Sequence, residues 1–294
     1  MVAALTNAVF VGRIVVYENL TIHLKPCRVS VFVDMIHSPK EICLWSRQSL
    51  LEVNEVIRKS EQGMGGAYFC TGDDGSQYWV KGVSAQRDFQ VNEWLAGHLA
   101  KAFGLPIAHF CLIQIDYMFS MYLPVELKDI GAGAAFASQH VSGTKEPNEV
   151  ELNRVPESLK RDLLMFDYWV QNADRTFGNS NLLWLATEQR LVVIDHNLAF
   201  DEEFSAQGFF GRTCDGMAHV FADMHEQIFS DLVEVELYKQ KMETCLPVFE
   251  QAIASVPREW NFTDADERED VEIDYGSKRR VLERFNDDEF WGLK

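Results

Sequence analysis

The stretch Asn172-Ala173-Asp174-Arg175-Thr176-Phe177-Gly178-Asn179-Ser180-Asn181 places an Asp five residues before an Asn, in a loop that contains a glycine. Two short apolar runs follow, residues 182–185 and 191–194, on either side of a polar turn. Apolar runs of this length around a turn are typical of a β-hairpin. The hairpin would carry the chain out and back, so that Asp195 comes to lie beside the loop that holds Asp174 and Asn179.

This grouping of oxygen-bearing side chains suits phosphoryl transfer from ATP and Mg²⁺. One carboxylate, Asp174, would position the attacking hydroxyl and accept its proton, while Asn179 and Asp195 would hold Mg²⁺ against the phosphates. The spacing alone also fits an Asn- and Asp-rich surface loop followed by an ordinary hairpin. Both readings stay open on this stretch.

A glycine-rich segment, Gly63-Met64-Gly65-Gly66, precedes a second predicted hairpin whose return strand ends at Lys81. Glycine has no Cβ, so such a segment lets the backbone approach phosphates closely. A Lys on the adjoining strand can reach the same phosphates. The alternatives are a simple turn for the glycines and an exposed strand position for Lys81.

Residues 88–103 have the spacing of a helix that ends at Gly104-Leu105-Pro106. Glu93 shares a face of this helix with Ala96, Ala100 and Phe103. A carboxylate on a packed face needs a cation, and Lys81 on the preceding strand is the candidate partner. In kinases such a Lys–Glu pair orients the phosphate-binding lysine.

The remaining segments are assigned from the spacing and type of their apolar residues. Residues 49–60 have helical spacing, and residues 156–171 predict a strong helix that leads into the loop of Asp174. Residues 110–116, 119–125 and 131–139 are predicted as strands. Residues 1–46 are predicted to contain two or three short strands, at 9–16 and 29–33, without a recognisable role.

The formal net charge of −18 argues against binding to nucleic acid or to an anionic membrane surface. No run approaches 18 apolar residues, so no transmembrane helix is expected. The six cysteines are scattered and are interpreted as free thiols. Together these features lead us to expect a cytoplasmic protein.

The order of these parts resembles the HipA-like kinases, and most closely the smaller HipA-like domain proteins. Four phrases carry the resemblance over roughly residues 50–260, with residues 1–46 and 264–294 expected to lie outside it: Asn92-Glu93, Ala135-Phe136-Ala137-Ser138, Asn172-Ala173-Asp174-Arg175 and Ile194-Asp195-His196. The resemblance implies an α+β fold with a β-rich N-terminal lobe and a mainly helical C-terminal lobe. Its expected divisions are an extension (1–48), an N-lobe (49–139), a C-lobe (140–262) and an acidic linker with a terminal helix (263–294).

The resemblance also implies roles for individual residues. Asp174 would be the catalytic base, Asn179 and Asp195 the Mg²⁺ ligands, and Lys81 the phosphate-contacting lysine with Glu93 as its partner. The resemblance further implies that three residues of the glycine-rich segment lie over the ATP phosphates: Met64, Gly65 and Gly66.

The acceptor implied by the resemblance is a protein Ser/Thr hydroxyl, on another protein or on the chain itself. A protein partner such as an antitoxin is a further expectation. Two departures from related kinases are Thr176, where lipid-kinase relatives often have His, and His196-Asn197 in place of Phe-Gly after the metal Asp. The alternatives are a nucleotide-binding pseudokinase or interaction module, a small-molecule or lipid kinase, and a scaffold that binds no nucleotide.

Overall fold

The computed structural model describes residues 3–4, 21–22, 51–61, 66–211, 218–263 and 269–292. The chain divides into two compact units, Met1–Gln48 and Ser49–Lys294. In the first unit, β1 (Ala3–Ala4) pairs with β2 (Thr21–Ile22) in antiparallel fashion. The strands predicted at 9–16 and 29–33 lie outside the described residues.

The second unit begins with a closed barrel of strands in the order β3-β4-β5-β7-β6. Neighbours pair antiparallel, except that β3 and β6 close the barrel in parallel. The barrel strands are β3 (Leu51–Lys59), β4 (Ala67–Gly72), β5 (Gln77–Lys81), β6 (Phe110–Ile115) and β7 (Gly133–Gln139). The predicted hairpin of β4 and β5 is confirmed, as are the strands near 110 and 131.

The prediction of a helix at residues 49–60 is wrong, because this segment is β3. The strand shifts its register against β4 between Val53 and Glu55 and again between Val56 and Arg58. Irregularities of this kind add a residue and break the two-residue alternation of a strand. The buried Val53 and Val56 are therefore three residues apart, as they would be on a helix.

The prediction of a strand at residues 119–125 is also wrong. The segment forms a short helix, α2 (Tyr117–Tyr122), followed by a 3₁₀ helix (Val125–Ile130). Asp116 caps α2, since its side chain accepts a hydrogen bond from the Phe119 amide over 2.9 Å. Aromatic residues such as Phe119 and Tyr122 favour strands, but the cap at Asp116 begins a helix here.

Helix α1 (Arg87–Phe103) lies between the barrel and the helical part of the chain, and it ends at Gly104 with a φ of 88°. Its fully buried Leu95 and Leu99 belong to a core of mostly helical residues. The other helices are α3 (Glu149–Arg154), α4 (Glu157–Trp169), α5 (Ala206–Phe210), α6 (His225–Phe229), α7 (Leu232–Ala254) and α8 (Tyr275–Glu283). The helices predicted from residues 88 and 156 are both confirmed.

The predicted hairpin after Asn181 is confirmed as β9 (Leu182–Leu185) and β10 (Arg190–Val193), and β8 (Thr144–Lys145) pairs with β9. The Val193 amide donates to the Pro106 carbonyl over 2.9 Å, so the hairpin is tied to the segment that follows α1. The end of β10 is thereby held close to α1. None of the helices in the described ranges combines the length and hydrophobicity needed to span a bilayer.

The C-terminal segment is part of the core rather than an appendage. Leu282 and Trp291 are almost completely buried. Trp169 of α4 donates its indole N–H to the Leu282 carbonyl over 2.8 Å, and the Tyr168 hydroxyl donates to the Phe290 carbonyl over 3.1 Å. Residues 275–292 therefore complete the packing around α4, the helix that leads into the loop of Asp174.

Candidate active site

Lys81, the last residue of β5, lies between two carboxylates. Its Nζ is 2.5 Å from Glu93 Oε1 and 2.8 Å from Asp195 Oδ1. Lys81 and Glu93 are both buried, because α1 packs Glu93 against the end of β5. Gln90, one turn before Glu93, donates its side-chain amide to the Lys81 carbonyl over 2.8 Å. The structure thus brings together three of the residues selected from the sequence.

The charges of this group depend on one another. Burial alone would lower the pKa of Lys81, but the charges of Asp195 and Glu93 outweigh it and hold that pKa above its ordinary value. Burial would raise the pKa of Asp195, yet the Lys81 ammonium holds it below its usual range. For Glu93 burial is the larger effect, and its pKa is raised although Lys81 opposes the shift. Lys81 therefore stays protonated at neutral pH.

The backbone after β10 is shaped around this group. Asp195 has a φ of 58°, in the left-handed region that residues other than glycine rarely adopt. The His196 amide donates to Glu93 Oε2 over 2.9 Å. A backbone conformation of this kind persists only where its surroundings enforce it, as they do at functional sites. The turn at Asp195 aims its carboxylate at Lys81 and the next amide at Glu93.

Asp174 lies in the loop between α4 and β9, and two amides hold its carboxylate. Oδ2 accepts hydrogen bonds from Asn179 Nδ2 over 2.9 Å and from Asn181 Nδ2 over 2.8 Å. Burial raises the pKa of Asp174, the two amides oppose this, and the charge of Asp195 raises it further. A carboxyl group with a raised pKa is better suited to accept a proton.

Asn181 was not selected from the sequence. Its φ is 48°, and Asn is among the few residues that tolerate the left-handed region. The signal that was available is the repetition of Asn at 179 and 181, directly before the first strand of the hairpin. The geometry adds Asn181 to the site as a donor to Asp174.

The loop of Asp174 is built on a fully buried ion pair. Arg175 Nε donates to Asp167 Oδ2 over 2.6 Å, and Arg175 Nη1 donates to the Asn181 carbonyl over 2.7 Å and to the Ile194 carbonyl over 3.3 Å. Arg175 therefore joins α4 to both ends of the β9–β10 hairpin. This junction fixes Asp174 relative to Asp195.

His219 completes the buried network around Asp167. The Phe221 amide donates to His219 Nδ1 over 3.1 Å, so the proton of the neutral ring resides on Nε2, which lies 3.0 Å from Asp167 Oδ2. Burial lowers the pKa of His219 despite the nearby carboxylate. Burial would raise the pKa of Asp167, but Arg175 and His219 hold it well below its usual range.

Of the predicted glycine-rich segment, Met64 and Gly65 lie outside the described residues. Gly66 has a φ of 56° and directly precedes β4. The Ser60 amide donates to the Ala67 carbonyl over 2.7 Å, which ties the end of β3 to the start of β4. Ala67, the residue after Gly66, pairs with Lys81 across β4 and β5, so Gly66 lies beside the end of β5 that carries Lys81.

Asn179 and Asp195 carry side-chain oxygens, the ligand type that Mg²⁺ prefers. In the described part of the chain, no group of three or more His, Cys, Asp and Glu side chains is arranged to hold a metal ion. Mg²⁺ at nucleotide sites needs fewer protein ligands, since it takes one or two carboxylates and completes its shell with phosphates and water. Asn179 uses its amide nitrogen on Asp174, which leaves its carbonyl oxygen for a metal, and the Asp195 side chain is 32% exposed.

Comparisons with solved structures gave low similarities. The crystal structure of the Golgi casein kinase has a TM-score of 0.45 and 11% identity, with 83% of this chain and 72% of that chain covered. The same kinase with Mn/ADP bound has a TM-score of 0.44 and 11% identity, with coverages of 83% and 71%. The Helicobacter pylori proinflammatory kinase CtkA has a TM-score of 0.41 and 11% identity, with coverages of 80% and 91%. Similarities this low do not indicate a function for this chain.

The search among curated proteins gave no significant match. A family model described as HipA-like kinase matches residues 53–294. This match extends through the C-terminal segment, so the expectation that residues 264–294 lie outside the resemblance is wrong. The buried contacts of Leu282 and Trp291 give the physical reason, since these residues belong to the same core. The chain belongs to the HipA-like kinase family.

Proposed function

We propose that this chain is an ATP-dependent phosphotransferase that transfers the γ-phosphate to a Ser or Thr hydroxyl of a protein, including its own. The observation that carries the proposal is the bridge of Lys81 between Glu93 and Asp195. It joins strand, helix and hairpin at one point and holds a permanent positive charge there. The proposal includes a two-lobed arrangement in which the barrel and α1 bind the nucleotide and the loop of Asp174 belongs to the helical lobe.

Lys81 would bind the phosphates of ATP, with Glu93 fixing the direction of its side chain. Gly66, with Met64 and Gly65, would cover the same phosphates. Mg²⁺ held by Asn179 and Asp195 would neutralise phosphate charge as it shifts during transfer. The net charge of −18 makes a local cation set necessary, because the surface as a whole repels a polyanion.

Asp174 would act on the acceptor. Its carboxylate takes the proton of the hydroxyl while the hydroxyl oxygen forms a bond to the γ-phosphorus. The bond from that phosphorus to the β–γ bridging oxygen breaks, and ADP leaves with the electron pair. Asn181 and Asn179 keep the carboxylate oriented through their bonds to Oδ2.

Calorimetric titration of ATP, with Mg²⁺ or with a chelator, tests the nucleotide part of the proposal. We expect the wild type to bind ATP more tightly with Mg²⁺, and Asp195→Ala to lose this difference. Asp174→Ala should bind MgATP like the wild type, because Asp174 acts on the acceptor. Equal ATP affinity with and without Mg²⁺ in the wild type would contradict the metal site.

A further inference from the structure

A cleft of about 580 Å³ adjoins the catalytic loop on the side of Asp174. Its walls are the start of α1, residues 197–202 after the hairpin, and residues 272–278 of the C-terminal segment. Asp174 and Ala173 line it, whereas Lys81 and Asp195 are not among its lining residues. The cleft therefore reaches the proposed base without including the phosphate-binding lysine in its walls, as an acceptor site would.

The cleft is strongly acidic. A single cation, Lys278, faces six carboxylates in its lining: Asp88, Asp174, Asp201, Glu202, Glu272 and Asp274. The charge of Lys278 is already paired, because its Nζ lies 2.9 Å from Asp88 Oδ1 and 2.7 Å from Asn92 Oδ1. The remaining carboxylates come from several separate segments, so a ligand with one positive charge would meet only some of them.

A buried amide points to the chemistry of the ligand. Asn197 is 7% exposed and lines the cleft, and its side-chain amide has no hydrogen-bond partner among the described residues. Its backbone is fixed, since its carbonyl accepts from Asn92 Nδ2 over 3.0 Å. No described protein group takes up the hydrogen-bonding capacity of this amide, so it is open to a ligand in the cleft. The Asn197 amide offers N–H donors and a carbonyl acceptor, the complement of the carbonyl and N–H of a peptide unit.

We propose that this cleft binds the phosphate acceptor, and that the acceptor is a polypeptide segment whose Ser or Thr is flanked by Lys or Arg residues. The proposal rests on the proposed function and names its substrate class. The scattered carboxylates contact the basic side chains, Asn197 bonds a backbone peptide group, and Asp174 receives the hydroxyl. A cleft of this size is in the ordinary range for ligand sites, roughly 300–1,000 Å³.

Equilibrium binding of peptides to the whole chain tests the cleft independently of phosphoryl transfer. Three fluorescent peptides around one Ser are compared by anisotropy, with Lys/Arg, Gln or Glu at the flanking positions. The variant Glu202→Gln/Glu272→Gln removes two exposed cleft charges. The control Glu236→Gln/Glu243→Gln removes two exposed charges from α7 and keeps the same net charge, which separates the cleft from general attraction to an acidic protein.

We expect the basic peptide to bind most tightly, and the cleft variant to raise its Kd roughly fivefold or more. The control variant should leave the Kd within about twofold of the wild type. Asn197→Leu should weaken the basic and the Gln-flanked peptides by similar factors, because it removes a backbone contact. Equal binding of the three peptides, or equal effects of the two double variants, would overturn the proposal.

Transfer from MgATP to the same peptides distinguishes this proposal from the proposed function. Autophosphorylation without preferential transfer to the basic peptide would overturn the proposed acceptor cleft and would leave the proposed kinase activity standing. Selective binding of the basic peptide without ADP formation would overturn the proposed kinase activity and would leave the proposed peptide-binding cleft standing. Phosphate transfer to a small cationic alcohol such as choline, without preference for the basic peptide, would also overturn the polypeptide acceptor.

Discussion

Asn181 donates its side-chain amide to Asp174 Oδ2 over 2.8 Å, from a backbone whose φ is 48°. The same oxygen accepts from Asn179 over 2.9 Å. Both hydrogen bonds lower the pKa of Asp174 against the effect of burial. The orientation and the basicity of the proposed base therefore depend on a residue that the D-x4-N pattern does not include.

Asn181→Ala should lower kcat roughly tenfold, which corresponds to the loss of about one hydrogen bond to a charged group. The KM for ATP should stay close to the wild-type value. Because the lost hydrogen bond lowered the pKa of Asp174, the acidic limb of the kcat profile should move to higher pH. The measurement is kcat against pH for both proteins, and an unchanged limb with an unchanged kcat would contradict the positioning role.

Lys81→Met should abolish transfer and reduce the free energy of unfolding by about 3 kcal/mol, since it leaves the buried Glu93 and the partly buried Asp195 without their cation. Adding Glu93→Gln removes one of these charges and keeps an acceptor for the His196 amide. The double variant should thus recover much of the stability while staying inactive. Urea unfolding of the variants measures this, and a single variant as stable as the wild type would argue against the buried pair.

The buried histidine predicts a loss of stability on mild acidification. The pKa of His219 is lowered in the folded protein, so the unfolded chain binds a proton at this residue first, near the ordinary value of 6.5. The stabilising contribution of the neutral ring is complete above that pH and is lost as the pH falls below it. Asp167 affects stability only at lower pH. Its pKa is depressed below the ordinary value of 3.8, so the stability that its carboxylate contributes is lost only as the pH falls below that value.

Urea midpoints at about pH 7.5 and about pH 5 measure this effect. His219→Gln retains a donor for Asp167 and cannot be protonated, so its midpoint should change less with pH than that of the wild type. Part of the slope should remain, because burial also lowers the pKa of His196 to about 4. Identical slopes for the wild type and His219→Gln would exclude His219 as a source of the acid sensitivity.

Trp291→Ala tests whether the C-terminal segment belongs to the folded core. Trp291 is 1% exposed, and its indole donates to the Phe285 carbonyl over 2.7 Å. Truncation of a buried Trp costs about 3–5 kcal/mol. Tyr122→Ala, at a position that is 82% exposed, is the control and should change stability by less than about 0.5 kcal/mol. Equal effects of the two variants would mean that the segment contributes little to the core.

The sequence predicted those parts of the fold whose pattern is local. Both hairpins and the helices that carry Glu93 and precede Asp174 have regular spacing and clear ends. The spacing from Asp174 to Asn179 corresponds to a hydrogen bond between the two side chains in the structure. It could not reveal Asn181, because a left-handed Asn differs from an ordinary loop Asn only in its backbone angle.

The errors have physical causes. The irregular register of β3 spaced Val53 and Val56 as on a helix. The cap at Asp116 outweighed the strand preference of the aromatic residues after it. The C-terminal segment was expected to lie outside the resemblance, whereas its apolar side chains, such as Leu282 and Trp291, are buried in the core. Asp167 and His219 are 52 residues apart in the sequence, and no local pattern predicts a contact over that separation.

Intact-mass spectrometry after incubation with MgATP, with ADP formation followed in the same samples, tests the central claim most directly. The wild type, Asp174→Ala and Asp195→Ala are compared. We predict that the wild type forms ADP and gains the mass of one or more phosphate groups, while both variants gain none. A wild type that forms no ADP and gains no phosphate, or an Asp174→Ala variant phosphorylated as fast as the wild type, would contradict the account.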